Sequence, residues 1–249
     1  MRFLLCVLLL SACGSSARQR VADPPPHDIW NALLHKHVDG AGWVNYEGFM
    51  RDQEKLEEYL KLLSNNAPDK DLWSREEQLA YWINAYNAFT VKLIIDNYPL
   101  ESIRDLDPVL SIPAINTVWH RKFFEIGGKK TSLDEIEHEI LRKEFAEPRI
   151  HFAINCASYS CPPLRSEAYK ADIVDQQLNE QAILFINDPL RNQISHDRVV
   201  LSRIFKWFKS DFTRDVSLVE YLNRYSRIYI ADTADLEYLP YNWQLNEKP

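Results

Sequence analysis

The fifteen residues Arg149-Ile150-His151-Phe152-Ala153-Ile154-Asn155-Cys156-Ala157-Ser158-Tyr159-Ser160-Cys161-Pro162-Pro163 constrain this chain more than any other stretch. They begin as an apolar run of strand character and carry a histidine. They end in two cysteines, where the Pro-Pro pair stops regular structure. If Ile150 to Cys156 is a regular strand, His151 and Cys156 lie five apart and point to opposite faces. A thiol–imidazole contact then needs a kink near Asn155, or the use of Cys161 beyond the turn.

The strongest helix signal lies upstream. Ser74-Arg75-Glu76-Glu77 reads as a capping box, with Ser74 as N-cap and Glu77 reaching back. The segment behind it continues without a breaker to Tyr98, where Pro99 ends it. It is apolar nearly all round, the pattern of a central buried helix. Asn84 and Asn87 share one face of it, and a buried amide left unpaired costs about 1–3 kcal/mol. Two such amides imply either a polar cleft or a loop pinned by them. Ser132 to Phe145 is a second capped helix that carries Asp134, His138 and Arg142 at four-residue spacing, with Glu137 beside them. That row is either a solvated salt-bridged face or a functional ridge.

Around these segments the spacing predicts helices over Asp28–Val38, Asp52–Leu63, Ile173–Ile186 and Leu218–Tyr225. A hairpin is expected across Gly127-Gly128, and a short strand at Arg198–Leu201. Helices dominate and the strands are few and scattered. The expectation is a helix-rich α+β fold, with the helix from Glu77 to Tyr98 packed on a small, mainly antiparallel sheet containing Ile150 to Cys156. The net charge is −7 and the basic residues are dispersed, which argues against nucleic-acid binding. Six glycines leave little material for phosphate-cradling loops, and no cofactor motif is present.

The first residues read as an export segment: Met1-Arg2, an apolar run from Phe3 to Leu10, then Ser11-Ala12-Cys13. The apolar run is too short to span a bilayer. Leu10-Ser11-Ala12-Cys13 resembles the bacterial lipobox, in which the cysteine is lipidated and becomes the first mature residue. The expected organisation is a signal peptide over residues 1–12, a lipidated polar tether over 13–26, and one globular domain over 27–249. No aspartate follows Cys13. The resemblance therefore implies an outer-membrane anchor with the body in the periplasm, an oxidising compartment.

Three further segments carry a family resemblance. They are Tyr81-Trp82-Ile83-Asn84-Ala85-Tyr86-Asn87-Ala88-Phe89, Ser132-Leu133-Asp134-Glu135-Ile136-Glu137-His138, and the run from Ile150 to Pro162. With the closing Tyr238-Leu239-Pro240-Tyr241-Asn242-Trp243, they resemble the family catalogued as domain of unknown function 547. That family is remotely similar to papain-like and transglutaminase-like folds, where a nucleophile at a helix start faces a histidine on a sheet. This chain departs from the pattern, because no cysteine opens the helix at Ser74 and both thiols follow His151.

Two chemistries stay open for the thiols. In the first, Cys156 or Cys161 is the nucleophile of a hydrolase or acyl transferase. His151 or His138 would activate it, and Asn84, Asn87 or Glu137 would orient the ring. In the second, Cys156 and Cys161 form a structural disulfide, worth somewhat less than the ~3 kcal/mol of a fifteen-residue loop. The domain would then bind an envelope protein, peptide or small molecule without catalysis. A zinc site from His138, His151 and a cysteine lacks the compact ligand pairs zinc prefers.

Overall fold

The structure is a computed structural model, and it describes residues 23–110 and 116–248. The export segment, Cys13 and most of the tether lie outside the described residues. Three helices open the fold: α1 (Asp28–His37), α2 (Tyr46–Arg51) and α3 (Gln53–Asn65). They pack around α4 (Arg75–Ile95), whose capping box forms as the sequence predicts. Fifteen of its twenty-one residues are buried, so it lies at the centre of the larger apolar cluster with Trp30, Phe49, Leu56 and Tyr59.

A hairpin of β1 (Phe124–Ile126) and β2 (Lys129–Thr131) follows and turns at Gly127-Gly128. Both glycines have positive φ, which a side chain would strain. Ser132 then caps the next helix through a reciprocal pair of bonds with Glu135. That helix widens into π-helical turns over Glu135–Leu141 before ending as α5 (Arg142–Phe145). The remaining elements are α6 (Val174–Ile186), β3 (Gln193–Ile194), β4 (Arg198–Leu201), α7 (Ile204–Trp207), α8 (Lys209–Phe212), α9 (Leu218–Asn223) and β5 (Asp235–Tyr238). β3 pairs antiparallel with β4, and β4 pairs parallel with β5. The result is a helix-rich α+β domain with small sheets.

One expectation is corrected. Ile150 to Cys156 is not a strand, and α4 does not pack on a sheet containing it. Pro148 starts a tight 3₁₀ turn over Pro148–Phe152, with the Glu147 side chain accepting the Arg149 N–H. Ile150, His151 and Phe152 are consecutively buried, which a half-buried strand would not allow. The three-residue period points Ile150 into the α4 cluster and Phe152 into a second cluster with Phe185, Phe205 and Phe212. The segment joins the two apolar clusters and leaves His151 between them.

Candidate functional site

The loop from Asn155 to Pro162 and its flanks are held by hydrogen bonds from four other parts of the chain, three through side chains and the closing segment through its backbone. Asn87, on α4, donates to the Ala153 carbonyl (3.0 Å) and accepts the Asn155 N–H (2.8 Å). Asn155 in turn donates to the Pro162 carbonyl and accepts the Ala157 N–H, which closes the loop on itself. Arg191 donates to the carbonyls of Cys161 (2.6 Å) and Tyr159 (3.1 Å). Gln181 reaches Phe152 and Pro163, and the chain's closing segment donates or accepts at Tyr159, Ser160 and Ala157. Within this frame Ala157 adopts φ 60°, a left-handed backbone uncommon for a residue with a Cβ.

The turn presents two thiols, not a disulfide. Both cysteines are free, and their sulfurs lie 2.8 Å apart, well beyond the 2.03–2.05 Å of a bond. The structural bridge expected from the sequence is therefore not formed in this structure. Cys161 is buried, and its Sγ accepts the Cys156 N–H at 2.9 Å. Cys156 is more open, and its Sγ also meets Ser158 Oγ (3.2 Å) and the Tyr241 hydroxyl (3.3 Å). Burial disfavours the Cys156 thiolate, but hydrogen bonds from Cys161, Ser158 and Tyr241 outweigh that and bring the thiol down to about 7. Burial pushes the Cys161 thiol up, and the neighbouring sulfur pushes it further.

Both sulfurs line a cavity of about 430 Å³. Glu137 comes inward from the π-helical turn to line the same space, with the Tyr86 hydroxyl 3.4 Å from its carboxylate. Such wide turns recur at functional sites because they redirect side chains out of helical register. Burial raises the Glu137 carboxyl; the charge of His138 opposes this and that of Cys156 adds to it, leaving the group at about 7.

His151 lines another part of the cavity. Its Nε2 is 2.8 Å from Asp211 Oδ2, and its ring stacks on Phe208 at 3.9 Å. Arg142 grips both Asp211 oxygens and donates toward His138 Nδ1 at 2.8 Å. Burial outweighs the aspartate and lowers His151 to about 4, so the ring is neutral at ordinary pH. Burial also works against the Asp211 charge, yet bonds from His151 and Arg142 hold its carboxyl well below the usual carboxylate range. Among the described residues, no imidazole nitrogen is hydrogen-bonded to either sulfur.

The structure thus gathers Cys156, Cys161, Glu137, His138 and His151 around one cavity. Asn84 and Asn87 stand behind it. Asn84 exchanges two bonds with the Tyr169 backbone, so both asparagines hold loops and neither lines the cavity. Sequence reasoning did not nominate Ser158, Tyr241, Tyr86 or Asp211. Tyr86, Ser158 and Tyr241 lie inside the segments that carry the family resemblance, so their hydroxyls are a usable signal. Asp211 had none, because its partner is sixty residues away. No metal-binding group of histidine, cysteine or carboxylate residues occurs among the described residues, and no described helix is long and apolar enough to cross a membrane.

Fold and site together define a helix-rich α+β domain whose central helix anchors a dithiol loop at the wall of an aromatic cavity. A family model described as "Protein of unknown function, DUF547" matches residues 70–186, the segment that supplies α4, the π-helical turn and both thiols. The chain is similar to that family across this segment. No curated protein and no solved structure matches the chain.

Proposed function

We propose that the domain is a thiol-dependent hydrolase or acyl transferase with Cys156 as its nucleophile. The observation that supports this most is the convergence of Cys161, Ser158 and Tyr241 on one sulfur at a cavity wall. A thiolate, not a thiol, attacks an acyl carbon, and hydrogen bonds to the charged form increase its population. Glu137 is the acid and base of the scheme, since a carboxyl near the working pH exchanges protons most effectively.

In that scheme the Cys156 thiolate adds to an ester, thioester or amide carbonyl. The bond to the leaving group breaks, and the Glu137 carboxyl gives that group its proton. The acyl group is then a thioester on Cys156. Glu137, now a carboxylate, takes a proton from water or an acceptor, which attacks the thioester and restores the thiolate. His151 bounds the cavity through Phe208 and Asp211 and takes no proton in these steps. A remote relationship to papain-like and transglutaminase-like enzymes belongs to the proposal. A thiol sharing one cavity with a histidine that is backed by an aspartate supports it, and the lack of a sulfur–imidazole bond separates this site from a closed dyad.

The proposed setting is the periplasmic face of the outer membrane, with lipid on Cys13. This rests on the Leu10-Ser11-Ala12-Cys13 motif behind the apolar run. Cys13→Ser releasing the protein from the membrane fraction is the expected result, and continued membrane association would contradict it. For the chemistry, the reduced protein is mixed with a p-nitrophenyl acyl ester and digested for mass spectrometry. Acyl groups on Cys156 that turn over in wild type support the enzyme. Absence of acylation leaves the cavity as a non-catalytic binding site for an envelope ligand.

A further inference from the structure

The relation of Cys161 to Cys156 is unused by the acyl-transfer scheme beyond one hydrogen bond. The two sulfurs are within 2.8 Å of each other on a loop whose backbone is clamped at both ends. Asn155 ties the Cys156 side of the turn to Pro162, and Arg191 holds the Cys161 carbonyl. The two thiols differ in access. Both line the cavity, but Cys161 is only 3% exposed and its Sγ receives the Cys156 N–H, whereas Cys156 is the more open of the two. A more open sulfur that meets substrate first, with a less accessible one in contact behind it, is the arrangement that sequential attack requires.

We propose that Cys156 and Cys161 form a dithiol that exchanges with a substrate disulfide held in the cavity. The inference rests on Cys156 being the reactive sulfur. In the first step the Cys156 thiolate attacks one sulfur of the substrate, forming a mixed disulfide, and the other substrate sulfur leaves as a thiolate. In the second, the Cys161 sulfur attacks Cys156. The bond to the remaining substrate sulfur breaks, and that sulfur takes the proton Cys161 gives up. The substrate disulfide gains two electrons and becomes two thiols, and the pair loses the same two electrons to become a disulfide. A shift of about 0.8 Å between the sulfurs reaches bonding distance, so the loop need not unfold.

The wall of the cavity indicates the substrate class. Tyr241 and Trp243 lie 4.4 Å apart, Trp207 is 4.8 Å from Tyr241, and Trp119 is 5.6 Å from Trp243. Aromatic surfaces of this kind take apolar or aromatic groups. The fitting substrate is a disulfide whose flanking groups are apolar or aromatic.

The test uses the reduced, full chain with dipyridyl disulfide and, separately, glutathione disulfide, followed by intact-mass and peptide mass spectrometry. Wild type is expected to finish lighter by two hydrogens, with Cys156 and Cys161 joined and no retained adduct. Relative to their rates with a free small thiol, dipyridyl disulfide is expected to gain more from the protein than the charged glutathione disulfide does. Cys161→Ser is expected to stop at a stable mixed disulfide on Cys156. A wild type that keeps the adduct on Cys156 overturns the exchange and leaves the nucleophile in place. A wild type in which neither the disulfides nor iodoacetamide modify Cys156 overturns both readings. The wild-type measurement decides even if Cys161→Ser does not fold.

Discussion

The backbone N–H of Asn155 donates to the side-chain oxygen of Asn87 at 2.8 Å, and the same asparagine's amide donates to the Ala153 carbonyl. One residue of the buried central helix therefore fixes the backbone on entry to the dithiol turn. Asn84, one turn earlier, treats the Tyr169 backbone the same way at a place that does not touch the sulfurs. The pair separates stability from site geometry.

Asn87→Ala and Asn84→Ala are each expected to lower stability by about 1–3 kcal/mol in urea unfolding, because each leaves buried backbone groups unpaired. Only Asn87→Ala is expected also to slow alkylation of Cys156 in the folded protein. Equal alkylation in the two variants would show that Asn87 does not position the turn.

Asp211 is bound by both His151 and Arg142, so Asp211→Asn is expected to cost about 2–3 kcal/mol by loss of charge-assisted bonds. The pH dependence has a fixed sign. The Asp211 carboxyl lies below its ordinary range and His151 lies at about 4, against an ordinary 6.5. Both groups bind protons more readily when unfolded. The His151 contribution is present above pH 6.5 and is lost as pH falls through about 4, whereas the Asp211 contribution is present above pH 3.8 and is lost below it. Asp211 raises His151 against burial, so thermal melts of Asp211→Asn are expected to decline at least as steeply as wild type between pH 6.5 and 4. Below pH 4, where only the native carboxylate is still to be protonated, they are expected to decline less steeply than wild type.

Glu137 acts in the opposite direction. Its carboxyl is raised from 4.5 to about 7, so its contribution is fully present below pH 4.5 and is lost as pH rises through 7. Glu137→Gln removes that loss. The stability of the variant relative to wild type is expected to rise by ~3 kcal/mol between those limits. A difference that does not change with pH would show that Glu137 ionises at its ordinary value.

Tyr241→Phe and Ser158→Ala each remove a hydroxyl from the Cys156 sulfur. Each is expected to raise the pH at which Cys156 becomes reactive by roughly one to two units, the worth of one hydrogen bond to a charged form. Reaction of Cys156 with iodoacetamide as a function of pH reads this shift.

Much of this was legible in the residues, and the reasons for the rest are physical. Ser74 with Glu77 and Ser132 with Glu135 are local caps, so sequence spacing alone revealed them. Asn84 and Asn87 could be identified as buried amides in need of partners. Their partners, Tyr169 and Asn155, were not readable, because they lie 85 and 68 residues away. Ile150 to Cys156 misled because a continuous apolar run has no period. It fits a buried strand as well as a 3₁₀ turn placed between two cores. The inward position of Glu137 depended on π-helical turns, which helical spacing does not disclose. Asp211 joined the site only through tertiary packing against His151.

The most direct test is the rate of Cys156 alkylation by iodoacetamide in the folded, reduced protein, resolved by site and followed from pH 5 to pH 10. With Cys161, Ser158 and Tyr241 holding the thiolate, the rate is expected to rise through an inflection near 7 and to exceed that of buried Cys161 throughout. An inflection at the ordinary thiol value of 9.0, or faster labelling of Cys161, would contradict Cys156 as the activated sulfur of this domain.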